Sequence, residues 1–140
     1  MKRIFLVGLA LSTLAGIACQ GNNSTDQEAD KLAEQAIAVH DEIMPEIENF
    51  NKQDILVDSL LQHIGQLQVS DSLAAKEQLQ GLKSTLQSST DKMMDWMNAY
   101  TPDSSDVAYQ QAEMERITLL KAELDSVKEE ADKILVPYQK

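Results

Sequence analysis

The sequence predicts an all-α fold, an elongated antiparallel three-helix bundle. Three observations point to it. Apolar residues recur at intervals of three and four along most of the chain, the pattern of one buried helix face. Only five Gly and three Pro occur in 140 residues, so helix breakers are few. Leu, Ala, Gln, Lys, Glu and Asp dominate over aromatic residues, with two Phe, one Trp and three Tyr, a mixture suited to long helices rather than sheets.

The first helical pattern starts near Asp26 and carries Leu32, Ala36, Val39, Ile43, Ile47 and Phe50. A second set, Leu56, Leu60, Ile64 and Leu67, follows the polar stretch Asn51-Lys-Gln-Asp54. Pro45 lies within the first run. It lacks the N–H that would reach the Asp41 carbonyl and crowds that carbonyl, so a kink or a restart is expected there. A full break near Pro45 or Asn51 would give four helices.

Val69-Ser-Asp-Ser72 signals a turn, with Ser70 or Asp71 as the N-cap. The next helix shows Ala75, Leu79, Leu82, Leu86, Ser89, Met93, Trp96 and Tyr100, and contains Gly81. Thr101-Pro-Asp-Ser104 is the second break. The last helix carries Ile117, Leu120, Leu124, Val127, Ala131, Ile134 and Tyr138, with Pro137 as its stop. Segments joined by short turns pack as antiparallel neighbours. The bundle domain is read as residues 28–138.

Residues 1–18 differ in kind. Lys2 and Arg3 precede an apolar run, Ile4–Ala18, that is shorter than the roughly 20 residues a membrane-spanning helix needs. Polarity changes abruptly at Gln20. This is the layout of a signal peptide. Gly16-Ile-Ala-Cys19 resembles the lipobox of bacterial lipoproteins, with Gly16 where Leu is usual. That resemblance implies cleavage before Cys19 and lipidation of its thiol, and residues 19–27 then read as a lipidated cysteine and polar tether. An acyl anchor of this type holds a chain at a membrane at about 0.8 kcal/mol per buried CH2. Gln20 rather than Asp follows the cysteine, so the outer membrane of the cell envelope is the expected location. With Cys19 used, no thiol is left for a disulfide.

Charge narrows the partners. The chain has 12 basic and 23 acidic residues, a net −11. Without Lys2 and Arg3 the balance becomes 10 to 23, or −13. A field of that sign opposes nucleic-acid binding, which depends on neutralising phosphates. The partners left are the membrane, through the anchor, and another protein of the envelope.

Counting through a first turn centred at 69–70 sets His40-Asp-Glu-Ile-Met-Pro45 opposite Met93-Met-Asp-Trp-Met-Asn-Ala-Tyr100. A second turn at 102–103 brings Tyr109, Glu113 and Met114 to the same level. His40, Met44, Met93, Met94, Trp96 and Met97 thereby form the candidate binding cluster. These two stretches resemble the paired "HDEVMP" and "MMxWM" signatures of small Bacteroidota lipoproteins often labelled viral A-type inclusion protein-like, with Ile43 where Val is common. The similarity spans the whole chain and implies an anchored helical protein, but no activity.

The cluster has three readings. Methionines fill irregular gaps against aromatic rings, so it could be core. Thioether and imidazole donors suit Cu(I) or Ag(I), with His40, Met44, Met93 and Met97 as ligands in pairs four residues apart. Exposed Met and Trp beside acids could hold a basic amphipathic helix. Enzymatic chemistry has less to stand on. A di-iron carboxylate site needs Glu three residues before each His, but Ile37 precedes His40 and Leu60 precedes His63. No serine nucleophile elbow or glycine-rich phosphate loop is present. No catalytic residue and no cofactor are assigned. The expected function is a non-enzymatic binding or structural module, with a Cu(I)/Ag(I) carrier or sensor as the alternative.

Overall fold

A computed structural model describes residues 21–67 and 69–138. Residues 1–20, which include Cys19 and the expected signal peptide 1–18, lie outside them. Three long helices follow in order: α1 Gly21–Gln62, α2 Ser72–Ala99 and α3 Val107–Leu135. Single 3-10 turns, Ile64–Gln66 and Val136–Tyr138, close α1 and α3.

Side-chain pairs set the directions. Asp58 meets Lys83, and Asp54 accepts from Gln87, so α1 and α2 run antiparallel. Lys92 pairs with Glu123 and Tyr100 with Gln110, so α2 and α3 do as well. Glu46 meets Lys128 and Gln53 meets Asp132, which makes α1 and α3 parallel. The result is an up-down-up three-helix bundle in which α1 packs on both other helices.

The expected core of α2 is the observed one as far as Trp96, while Tyr100, at the C-cap, is half-buried. Ala75, Leu79, Leu82, Leu86, Ser89, Met93 and Trp96 are all buried, because a 3–4 alternation keeps every one of them on a single stripe. Ile117, Leu120, Leu124, Val127 and Ala131 do the same on α3, but the stripe then passes to Leu135, four residues on, and leaves the expected Ile134 and Tyr138 half-buried. Asp71 caps α2, accepting from the amides of Leu73 and Ala74 at 3.0 Å each. Asp106 caps α3 through Ala108 and Tyr109. Both caps satisfy amides that the first helical turn leaves open. Gly81 is exposed, and a Cβ built there would meet nothing within 4 Å.

Helix α1 departs from expectation in three ways. It runs unbroken for 42 residues through Pro45 and Asn51, so the four-helix alternative does not hold. Neither interruption stops it, because α2 and α3 pack against one stripe on both sides of the proline: Ile43, Ile47, Phe50, Gln53 and Val57 are all buried. Gln53 occupies a core position, and the stripe therefore passes to Val57, fully buried, while Leu56 and Leu60 flank it half-buried. Finally, Gly21 to Gln27, read as tether, are helical. Residues Ser24 to Glu28 are exposed, so this opening has no apolar period to reveal it, and Ala29 is the first buried side chain of the described set.

Candidate functional site

Trp96, Tyr100 and Tyr109 collect with His40 where the C-terminal end of α2 lies between α1 and the start of α3. Four rings form a ladder. His40 stacks on Trp96 with centroids 6.1 Å apart, Trp96 on Tyr100 at 4.5 Å, and Tyr100 on Tyr109 at 6.4 Å. Interplanar angles of 27°, 21° and 16° keep the rings close to parallel. One rung comes from α1, two from α2 or its C-cap, and one from α3, so the ladder ties all three helices. The juxtaposition of His40 with Trp96 follows the count through the first turn. The second turn behaves differently. Its connection runs on to Asp106, so Tyr109 faces Tyr100, and Trp96 borders a groove with Arg116, Leu119 and Leu120 further along α3.

Polar contacts frame the ladder. His40 Nδ1 lies 2.9 Å from Asp41 Oδ1. The Tyr109 hydroxyl accepts from the Thr101 amide at 2.8 Å. Gln110, with no exposed surface, accepts the Tyr100 hydroxyl and offers Nε2 to the carbonyls of Thr101, Pro102 and Ser104. Burial, followed by the neighbouring Tyr109 and Glu113, raises the Tyr100 pKa above that of a free phenol. Trp96 Nε1 and Glu113 Oε2 are buried without a hydrogen-bond partner. Gln110 was not singled out from the sequence, although it stands seven residues before Ile117 on the same stripe, and that spacing could have identified it.

The candidate methionines are not gathered into one environment. Met93 is fully buried in the core, and Met44 is half-buried against it. Met94 and Met97 point outward, 43% and 38% exposed. The four residues considered as soft-metal ligands therefore divide: the Met93 thioether is sealed, Met97 faces solvent, and His40 is engaged by Asp41 and Trp96. Packing accounts for Trp96 and Met93, whereas Met94 and Met97 are left on the surface.

Beside this end, α1 bears an open recess of about 610 Å3 lined by Asp41, Met44, Pro45, Ile47, Glu48 and Asn51. No helix among the described residues is long and apolar enough to cross a membrane. No family model, curated protein or solved structure matches the chain.

Proposed function

We propose that the protein is a non-enzymatic lipoprotein of the bacterial envelope, anchored through Cys19, whose helical bundle binds a protein partner. The observation that carries the binding role is the division of the methionines. Met93 completes the core, while Met94 and Met97, three residues apart on α2, hold two thioethers in solvent. Unbranched, polarizable side chains of this kind adapt to a partner's surface, and an acidic bundle has no packing use for them there. The anchoring role is carried by the sequence alone, through Lys2, Arg3, the apolar run and Cys19.

Two measurements test the reading. A photo-crosslinking residue at position 97 in intact cells should capture one reproducible protein that the same residue at exposed Glu130 does not. Capture of lipid alone, or identical capture from both positions, would count against a binding face. For the anchor, Cys19→Ser should move the protein out of the detergent-soluble membrane fraction or leave it unprocessed, with its helical circular dichroism unchanged. A variant that remains lipid-labelled and fully processed would overturn the assignment of Cys19.

A further inference from the structure

We infer that the face shared by α1 and α2 around Pro45 docks a positively charged, amphipathic helical segment of a protein partner. This rests on the binding-module reading and supplies the partner's chemistry.

The recess beside Pro45 sets the first requirement. Proline has no N–H, so the Asp41 carbonyl lacks the donor that a helix normally provides four residues on. The recess is lined by Asp41 and Pro45 together with Met44, Ile47, Glu48 and Asn51. Half of that lining is apolar. The remainder, with the Asp41 carbonyl, is dominated by acceptors, two of them carboxylates. A side chain suited to both has an aliphatic stem and a cationic, donor-only head. Lys and Arg are such side chains.

The surroundings set the second requirement. The contacts Asp54–Gln87, Asp58–Lys83 and His40–Trp96 fix the α1–α2 register and bring Met44 level with Met93 to Met97. Exposed Met94 and Met97 on α2 and exposed Ile37 on α1 thus extend the apolar part of the face beyond the recess. An apolar stripe bordered by charge is what an amphipathic helix buries when it lies in a groove.

Charge decides between occupants. On this side α1 presents Asp41, Glu48 and Asp54 against one cation, Lys52, while Glu46 is taken up by Lys128 of α3. Lys52 lies 2.7 Å from Glu48, but both side chains are about 70% exposed, and such pairs exchange readily for another cation. Asp91 adds an exposed acid on α2. A second copy of this chain, at net −11, is repelled by that surface, whereas a basic segment is steered to it.

The test uses the purified mature protein, from lipidated Cys19 onward, in non-ionic detergent. The probes are two fluorescein-labelled synthetic helices about five turns long, one of Leu and Lys and one of Leu and Glu, read by fluorescence anisotropy. The Leu/Lys helix should bind saturably and the Leu/Glu helix should not. Glu48→Lys and Asp91→Lys should each weaken binding about tenfold, roughly 1.4 kcal/mol, and Met97→Gln about threefold. Glu115→Lys and Glu130→Lys, exposed on α3, should change it less than about twofold. Equal losses from the α3 reversals, equal binding of the acidic helix, or no saturable binding would each overturn the proposal. If binding fails these criteria while position 97 still captures a partner in cells, only the basic chemistry is wrong. If both fail, the binding-module reading fails with it.

Discussion

The Tyr100 hydroxyl donates to Oε1 of Gln110 across 2.9 Å, linking the residue that ends α2 to a fully buried residue in the first turn of α3. The other end of the same amide faces three carbonyls of the connection, at 3.0 to 3.1 Å. One side chain thereby gathers three carbonyls of the turn, alongside the Thr101 amide that Tyr109 accepts and the backbone bond from Ser104 to Thr101.

Removing that amide should be costly. Gln110→Ala removes the acceptor of the half-buried Tyr100 hydroxyl and the side-chain donor to three carbonyls and opens a cavity, and a loss of about 1–3 kcal/mol is expected. Gln110→Met keeps most of the volume and should still lose at least about 1 kcal/mol. Urea denaturation followed by circular dichroism measures both, and a Met variant as stable as the parent would show that the amide only fills space.

Two methionines one turn apart should respond in opposite ways. Met93 has no exposed surface and Met97 is 38% exposed. Met93→Ala should cost about 2–5 kcal/mol through the cavity it opens. Met97→Ala should stay within about 0.5 kcal/mol of the parent. Trp96, only 2% exposed, should emit at short wavelength and resist acrylamide quenching in the parent protein.

Gln53 occupies a core position at a disadvantage. Its Nε2 reaches Asp132 at a long 3.4 Å and its Oε1 has no partner. Leu in its place should raise stability by about 1 kcal/mol, because a buried group without a partner costs about that much and Asp132, being exposed, is hydrated without it. A destabilised Gln53→Leu protein would mean that the amide is satisfied in a way the geometry does not show.

Gly81 offers a simpler gain. It lies on the exposed side of α2, with open space where a Cβ would stand. Gly81→Ala should add about 0.5–1 kcal/mol by reducing the freedom of the unfolded backbone. Thermal unfolding should show the rise without a change in the shape of the helical spectrum.

Alkali should loosen the bundle. Hydrogen bonds to Asp58, Asp125 and Glu46 raise the pKa values of Lys83, Lys121 and Lys128, and burial raises that of Tyr100. All four groups bind their proton more tightly when folded. Their contribution is complete below the ordinary values, 10.5 for lysine and 10.0 for tyrosine, and declines as pH rises through the raised ones. The urea midpoint should be level from mildly alkaline pH and fall above about pH 10. Lys128→Met, which removes a tie between α3 and Glu46 of α1, should flatten part of that fall.

The fold was legible wherever the stripe was purely apolar or small, as on α2, where even Ser89 fell at its expected place. It blurred on α1 because Gln53 is polar and sits in the core, so the count resumed one residue early, at Leu56 instead of Val57. Helix α1's opening was missed for the reverse reason, since a turn exposed all round has no period to read. At the site, counting through one turn paired His40 with Trp96 correctly. The same counting could not separate Met93 from Met97, because spacing by four places two residues on neighbouring faces without saying which is covered. Gln110 escaped notice since an amide in a core stripe looks like an interruption until its carbonyl partners are seen.

The parallel course of α1 and α3 has a mechanical consequence. Gly21 and Tyr138 lie towards opposite ends of the bundle, so tension applied between them runs along the helix axes. Such a load would slide α1 against α3, straining Glu46–Lys128 and Gln53–Asp132 together instead of peeling one contact at a time. Geometry of this kind resists extension by shear, and a protein held at one end and gripped near the other would transmit force before it unravelled.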